Sequence, residues 1–484
     1  MTAAKAALPA ILLLAALARI AGLIAYGPGL YPDSHEYLAY AALIRGSDHS
    51  WLWDAGLERS MAPVTVARTI GYPMVLAILQ ALFGSSFAVA TVLLQSALAL
   101  TATAAVYRFA LRFTGALWAA IAAGIGHGLS HVVWLDLALL ADSLFTSLFI
   151  LATITLGHLL LGGAARPLRA ASGIGAVAAL LILLRGNGWA VAATLAPLAL
   201  AAILFSRTGR LYRAGMIVAF LLPGLLIVWT YRTWNEARSG EAFLTTNAQV
   251  VMLQSVFEMV HKGARPFDGD TPLDRAVRET ASGYTLAEVV AANRQLHVRY
   301  GMTAPAIADA ATAKYVETIR RFPGPFLTAT LENFDLKSVA ALVNPAFGFA
   351  ETHQIATEVS LLPGLRELRR EPGTYATPLR LGLLALHAAC ALGSILLFLA
   401  FLFGAPILAL GRWRRCGPAD RDAAMLAGLW LAYAGVAAMY MAVHFELRYV
   451  LSVAPVPVLG GSLVIERLRI LRKENGPPWI RRAV

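Results

Sequence analysis

The stretch that decides the fold class is ALPAILLLAALARIAGLIAY (residues 7–26) running into GPGLYPDSHEYLAYAALIRG (residues 27–46). Its first part is 20 residues long and apolar but for Arg19, the length a helix needs to cross a hydrocarbon core. Its second part opens with glycine and proline and then turns helical, with Tyr37, Tyr40, Ala41 and Ile44 at helical spacing. Asp33 and Glu36 therefore stand just outside one membrane face, where a polar substrate can meet a lipid.

Working outward, apolar runs of similar length recur near residues 87–108, 114–133, 138–161, 171–186, 189–206, 214–231, 378–410, 423–443 and 448–466. The run at 378–410 is too long for one straight crossing, so it tilts or includes an interfacial portion. Of the 484 residues, 58% are hydrophobic and 14% charged, and the mean hydropathy is +0.65. A soluble core needs no such excess. The expectation is an all-α polytopic integral membrane protein of about ten transmembrane helices. The N-terminal run has one lysine before it and no small-residue cleavage site with a polar start after it, so it is expected to remain as a span.

The formal charge of +12 does not mark a nucleic-acid binder, because the basic residues fall in short clusters between apolar runs instead of along one face. These clusters are Lys5, Arg108 with Arg112, Arg166 with Arg169, Arg207 with Arg210 and Arg213, Arg412 with Arg414, Arg415 and Arg421, and the tail from Arg467. Every second loop is basic, which places both termini in the cytoplasm. Residues 27–86, 131–136, 186–188, 232–377 and 444–448 then share the opposite face. Cys390 lies in an apolar run and Cys416 in a basic loop, so no disulfide framework is expected.

The expected organisation is a membrane module at 1–231 with its first external loop at 27–86, an extracytoplasmic helical segment at 232–377, membrane helices at 378–466, and a basic tail at 467–484. In the first loop, HEYLAYAALIR and RTIGYPMVLAILQALFG read as interfacial helices. In the longer segment, Thr285 and Glu288 form a capping box ahead of LAEVVAANRQLHVRY, a second helix covers IADAATAKYVETIRRF, and a third, FLTATLENFDLKSVAALV, follows Pro323 and Pro325.

Several polar residues of the outer face are candidates for chemistry. Asp33 is either a helix cap or, if Ser34 caps, a carboxylate available as a general base toward a hydroxyl or amine. Glu36 is either its capping-box partner or a second acid. Arg19, in the outer half of the first span, either faces a cavity, where it is a candidate donor-phosphate contact, or snorkels to the interface. Arg68, Arg185 and Arg448 lie near the same boundary, as phosphate contacts or as structural anchors. Asp142 and Asp136 are helix-terminal charges or part of the reacting surface. Tyr37, Tyr72, His444 and Glu446 complete a candidate substrate-binding set. His131 and His444 lack metal-ligand spacing, and no P-loop, dinucleotide fingerprint or nucleophile elbow is present.

The order of these features resembles the GT-C glycosyltransferases, the superfamily that includes dolichyl-phosphate-mannose protein mannosyltransferases and the bacterial aminoarabinose transferase of lipid A. The resemblance is carried by PDSHEYLAYA after the first span, RTIGYP before the second, LALLADSLF at the fourth, LLRGNG between the fifth and sixth, and ELRYVLSVAPVP at the last. It implies transfer of a sugar from a polyprenyl-phosphate-linked donor to a lipid, glycan or protein acceptor, usually with inversion. It also implies that Asp33 is the first-loop acid, as base or acceptor-orienting group, with Arg68, Arg185 and Arg448 on the donor phosphate. Where many relatives have adjacent acids, Ser34 and His35 follow Asp33, so Glu36, Asp142 or a more distal acid is the candidate partner. No cofactor is required, although a divalent metal is one that such acids can hold. The setting implied is a bacterial inner membrane, the site facing the periplasm or exterior, and the chain a monomer. The competing class is a transporter or flippase of a lipid-linked sugar, which calls for broken helices or inverted repeats. A noncatalytic scaffold would leave Arg19 and the polar outer loops unexplained.

Overall fold

A computed structural model describes residues 2–57, 60, 63–162, 164–206, 208–334, 354–355, 376–417, 420–443 and 452–475. The fold is all-α. Helices α1 (Thr2–Tyr26), α2 (Pro32–Arg45), α3 (Val64–Ala67), α4 (Gly71–Phe83) and α5 (Phe87–Thr114) carry the chain through the first span and the loop after it. Helices α6 (Leu117–Gly128), α7 (Val132–Leu137), α8 (Ala141–Leu160), α9 (Pro167–Leu184), α10 (Gly188–Leu204) and α11 (Arg210–Ser239) complete the N-terminal bundle. Five helices follow: α12 (Ala248–His261), α13 (Pro272–Thr280), α14 (Leu286–Tyr300), α15 (Ala304–Arg321) and α16 (Pro323–Phe334). The last are α17 (Ala376–Cys416), α18 (Arg421–Val443) and α19 (Pro455–Asn475).

Among the described residues, eight helical stretches are long and apolar enough to cross a membrane. The shorter apolar helix at Val191–Leu204 and α19 occupy the positions of the remaining expected spans. In α11 only 11% of the most apolar window is buried, with Leu222, Leu225, Leu226 and Trp229 all exposed. An exposed stripe of that kind suits hydrocarbon, since in lipid the backbone must be satisfied within the helix while the side chains need no water.

The structure adjusts several expected boundaries. The helix at Gly71 is not separate from the second span: α4 meets α5 through a single 3-10 turn at Gly84–Ser86, where Gly84 has φ of +55°. The span expected from residue 138 begins as a helix only at Ala141, because Ala138 forms a bridge with Gly29. The long run at 378–410 is one helix of 41 residues. The last span starts at Pro455, where proline suits a first helical turn, and its helix continues into the basic tail. Helix α16 includes Pro323 and Pro325 in its first turn, and the rest of the third expected helix lies outside the described residues.

A large core joins α5, α6, α8, α9, α10, α17, α18 and α19 around Phe145, Phe149, Phe401 and Met425. A second core, with Tyr37, Tyr72, Leu76, Trp134 and Leu137, fastens the first loop to the ends of the bundle helices. A third, with Phe257, Val277, Leu296 and Tyr315, lies within α12 to α16. Here the Thr285–Glu288 capping box is present: Glu288 accepts from the backbone N–H of Ser282, Gly283 and Thr285. Those three donors hold its carboxyl at about 2, well below the usual carboxylate range. Tyr315 ties this helical group to α18 by donating to the Ala442 carbonyl at 2.8 Å.

Candidate functional site

The site is built where the first loop meets the bundle. Pro32 opens α2, and its fixed φ is ready for a first turn. Tyr31 is thus the N-cap position and Asp33 lies in the first turn, so Asp33 does not cap the helix. Ser34 takes that polar work: its hydroxyl accepts from the Tyr31 N–H at 2.9 Å and donates to the Leu139 carbonyl at 2.8 Å. Leu139 N–H in turn donates to Gly29 O at 2.9 Å, and Gly29–Leu30 (β1) pairs antiparallel with Gln354–Ile355 (β2). The start of α2 is thereby fixed to the link between α7 and α8.

With the backbone fixed, Asp33 and Glu36 both turn to Arg68. Arg68 Nη2 donates to Asp33 Oδ1 at 2.7 Å and Nε to Glu36 Oε2 at 2.6 Å. The guanidinium also lies 5.4 Å from the centre of the Tyr37 ring. Burial works against the Arg68 cation, yet Tyr37, Asp33 and Glu36 together raise its pKa above the ordinary value. The capping box foreseen for Asp33 and Glu36 is absent for this reason: Glu36 is turned to a guanidinium, away from the start of its own helix.

A second ion pair stands close by. Asp142, in the first turn of α8, accepts from Arg185 Nη1 at the end of α9, and Ser452 Oγ lies 3.4 Å from the same carboxylate oxygen. Arg185 is 5.8 Å from the Phe145 ring centre. Tyr37 feels both pairs: burial raises its phenol, Arg68 and Arg185 pull it down, Asp33 and Asp142 push it up, and together they bring it to about 12. It therefore stays protonated at neutral pH. Tyr37 also meets Tyr72 edge to face at 5.0 Å between ring centres.

Glycine sets how closely these parts approach. A Cβ on Gly71 would lie 2.6 Å from the Leu183 carbonyl oxygen, so RTIGYP packs directly on the backbone that leads into Arg185. A Cβ on Gly188 would lie 2.0 Å from Leu181 O, which folds LLRGNG back tightly on α9. These contacts bring Arg68 and Arg185, far apart in sequence, to one end of the bundle.

Tyr72 donates to Gln95 Oε1 at 2.9 Å, and Gln95 Nε2 donates to the carbonyls of Asp136 and Ala138, both at 2.8 Å. Gln95 was not among the sequence candidates, although a fully buried amide inside an apolar span is a signal in its own right. Arg380, at the start of α17, was also missed. It donates to the Ala25 carbonyl from Nε at 3.1 Å and Nη2 at 2.9 Å, and stands over Tyr26.

Arg19 is held apart from this group. Its Nε and Nη2 reach Asp136 Oδ2 at 2.8 and 2.7 Å, while Nη1 donates to the Ala15 and Gly128 carbonyls. Ser143 donates to the other Asp136 oxygen at 2.5 Å. Asp136 sits in the last turn of α7, so it is neither a helix N-terminal charge nor a surface acid but the buried counterion of Arg19. His444, Glu446 and Arg448 lie outside the described residues.

Among the described residues, no three His, Cys, Asp or Glu side chains gather as metal ligands. Asp33, Glu36 and Asp142 face guanidinium groups instead. Three carboxylates around two guanidinium groups can exchange those contacts with an incoming anion.

No protein-family model matches the chain, and no curated protein sequence matches it. Two solved structures are similar in architecture. One is the archaeal oligosaccharyltransferase AglB from Archaeoglobus fulgidus in complex with an inhibitory peptide and a dolichol-phosphate, with 13% identity and a TM-score of 0.45 over 97% of this chain and 52% of that one. The other is the A. fulgidus oligosaccharyltransferase in its apo form, with 13% identity and a TM-score of 0.46 over 98% of this chain and 53% of that one. The chain spans about half the length of each. Likeness at this level carries nothing about the chemistry of the site.

Proposed function

We propose that the chain is a membrane glycosyltransferase that moves a sugar from a polyprenyl-phosphate-linked donor to an acceptor, with inversion at the anomeric carbon. The observation that carries this reading is the meeting of Asp33, Glu36 and Arg68 with Asp142 and Arg185 around Tyr37, at the end of an apolar bundle. The motif order of a GT-C glycosyltransferase supports it from the sequence side.

In this proposal the Asp33 carboxylate orients the acceptor and takes its proton as the acceptor oxygen or nitrogen bonds to the anomeric carbon. The bond from that carbon to the phosphate oxygen breaks, and the electron pair leaves with the polyprenyl phosphate. Arg68 and Arg185 stabilise the developing charge, joined by Arg448. Arg68 uses Nε and Nη2 on Glu36 and Asp33, which reserves Nη1 for a phosphate oxygen. The Tyr37 phenol, neutral at physiological pH, and Tyr72 are buried behind Arg68 and support the site from the core instead of touching the sugar, a correction to their expected substrate contact; His444 and Glu446 are assigned to sugar contact by the sequence reading alone. Arg19, expected on the donor phosphate, is assigned a structural part instead, because it is buried inside the bundle as the counterion of Asp136. No step is routed through a metal.

The proposal places both termini in the cytoplasm and the site on the outer face, on the strength of the alternating basic loops, and takes the membrane as a bacterial inner membrane and the chain as a monomer. A lipid-borne donor suits that side, where nucleotide sugars are absent. The acceptor is a lipid, a glycan or a protein.

The test is mass spectrometry of envelope lipids and glycans from cells lacking the gene, complemented with wild type or Asp33→Asn at matched membrane abundance. Wild type is expected to restore one missing single-sugar modification and clear the accumulated donor. Asp33→Asn is expected to restore less than about a hundredth of it, the scale of a lost general base. Full restoration by Asp33→Asn would remove the carboxylate from the chemistry and favour a lipid-linked-sugar transporter.

A further inference from the structure

At the opposite end of the same bundle helices, a cavity of about 500 Å³ opens between α8, α9, α10, α17 and α18. Helix α8 connects the two places: Asp142 begins it, and Leu159 and Leu160 at its end line the cavity. Its 20 residues span about 30 Å. The cavity is thus separate from the candidate active site and independent of the function proposed for it.

Its lining is polar at one end and apolar along its length. Arg421, Trp413 and Thr208 stand at the rim. From there Ala424, Ala427, Gly428 and Leu431 follow as one stripe of α18, at the spacing of a single helix face, about 10 Å deep. The opening is flanked by apolar side chains with no protein cover: Phe205 is 88% exposed and Leu431 47%. Such exposure belongs against lipid tails.

The charge at the rim is also specific. Asp420 and Asp422 are taken by Arg412 and Arg467, at 2.8 and 2.7 Å. Arg421 meets no carboxylate among the described residues, and its Nη1 donates only to the Leu161 carbonyl at 3.0 Å. Its guanidinium lies so close to Gly162 that a Cβ there would come within 2.3 Å of Nη1, which holds the head group at the mouth of the cavity. Arg412, Arg414 and Arg415 close helix α17 a few residues before Arg421 in sequence and add to the basic charge of this end of the bundle.

We infer that this cavity is a binding site for a phospholipid with an anionic headgroup, one acyl chain lying along the α18 stripe and the phosphate on Arg421. A basic mouth above an apolar slot between spans is the arrangement that recognises such lipids, and Trp413 suits the interfacial level.

The test uses the full-length protein, delipidated in detergent and titrated with phosphatidylglycerol, with phosphatidylcholine of the same acyl chains, or with inorganic phosphate, while the thermal unfolding midpoint is followed. Phosphatidylglycerol is expected to raise the midpoint, and phosphatidylcholine to need about tenfold more lipid for the same rise, because its choline sets a cation against the basic rim and leaves the lipid without net charge. Arg421→Gln is expected to show the same tenfold loss. Ala427→Phe, which fills the slot and keeps the arginine, is expected to abolish the rise and decides the matter if Arg421→Gln does not fold. Equal response to the two lipids, a full response to inorganic phosphate alone, or an unchanged response in Ala427→Phe would each overturn the inference.

Discussion

Arg19 and Arg68 each meet an aspartate, yet one pair is sealed and the other is open. Arg19 and Asp136 are 2% and 0% exposed. The guanidinium is divided between a carboxylate and two backbone carbonyls, and Ser143 takes the second carboxylate oxygen. Arg68 is shared by two acids instead, and their side chains are 15% and 45% exposed at Asp33 and Glu36. The same residue types serve as a lock in one place and, in the proposed function, as exchangeable chemistry in the other. What separates them is burial: the first pair is shut off from solvent, and the second keeps part of its surface where a substrate can compete.

The comparison breaks if the two arginines respond alike to the same substitution. Arg19→Met strands the Asp136 carboxylate in the bundle and is expected to cost about 3–5 kcal/mol of stability. The double change Arg19→Met/Asp136→Leu should recover most of that loss, since an apolar pair of similar volume replaces the ions without an orphan charge. Chemical denaturation in micelles measures both. A cost under about 1 kcal/mol for the single change would place Arg19 among exposed pairs and end the distinction.

Arg68→Met is expected to behave in the opposite way. Product formation should fall about a hundredfold, near 2.7 kcal/mol of transition-state stabilisation. Stability should move by under about 1 kcal/mol, because water and the remaining polar groups reach the two carboxylates. The same pair of measurements, product by mass spectrometry and unfolding by denaturant, reads both arginines. An Arg68→Met protein that unfolds instead of losing turnover would make the first-loop pair a second lock.

How much of this was legible depended on how local its cause was. The apolar runs were legible because each contains its own reason to be a helix in lipid, and Thr285 with Glu288 was legible because the box closes within four residues. The same pattern at Asp33 and Glu36 failed to close. Pro32 moved the helix start forward and Arg68, which lies 32 residues beyond Glu36, offered a charged partner in place of a backbone N–H. Partners across the bundle were not legible at all. Asp136 lies 117 residues from Arg19, and only the packing of α1 against α6 and α7 brings them together. Gln95 carried a signal, an amide in an apolar span, but its partners are carbonyls of another segment, which no pattern in its own helix records.

The finest division in the comparison lies within the open site, between its two acids. Glu36→Gln keeps an oxygen that can accept from Arg68 Nε and removes only the charge, at a side chain that is 45% exposed. The stability change should therefore stay under about 1 kcal/mol. Turnover should stay within about threefold of wild type, because the base of the proposal is Asp33 and an exposed ion pair contributes little. One carboxylate fewer also competes less for the guanidinium, so the apparent KM for the donor is expected to be unchanged or lower. Steady-state kinetics with a polyprenyl-phosphate-linked donor separates these outcomes. A fall as deep as that of Asp33→Asn would transfer the acid's part to Glu36, and a raised donor KM would mean that Glu36 holds Arg68 in place for the phosphate instead of contending with it.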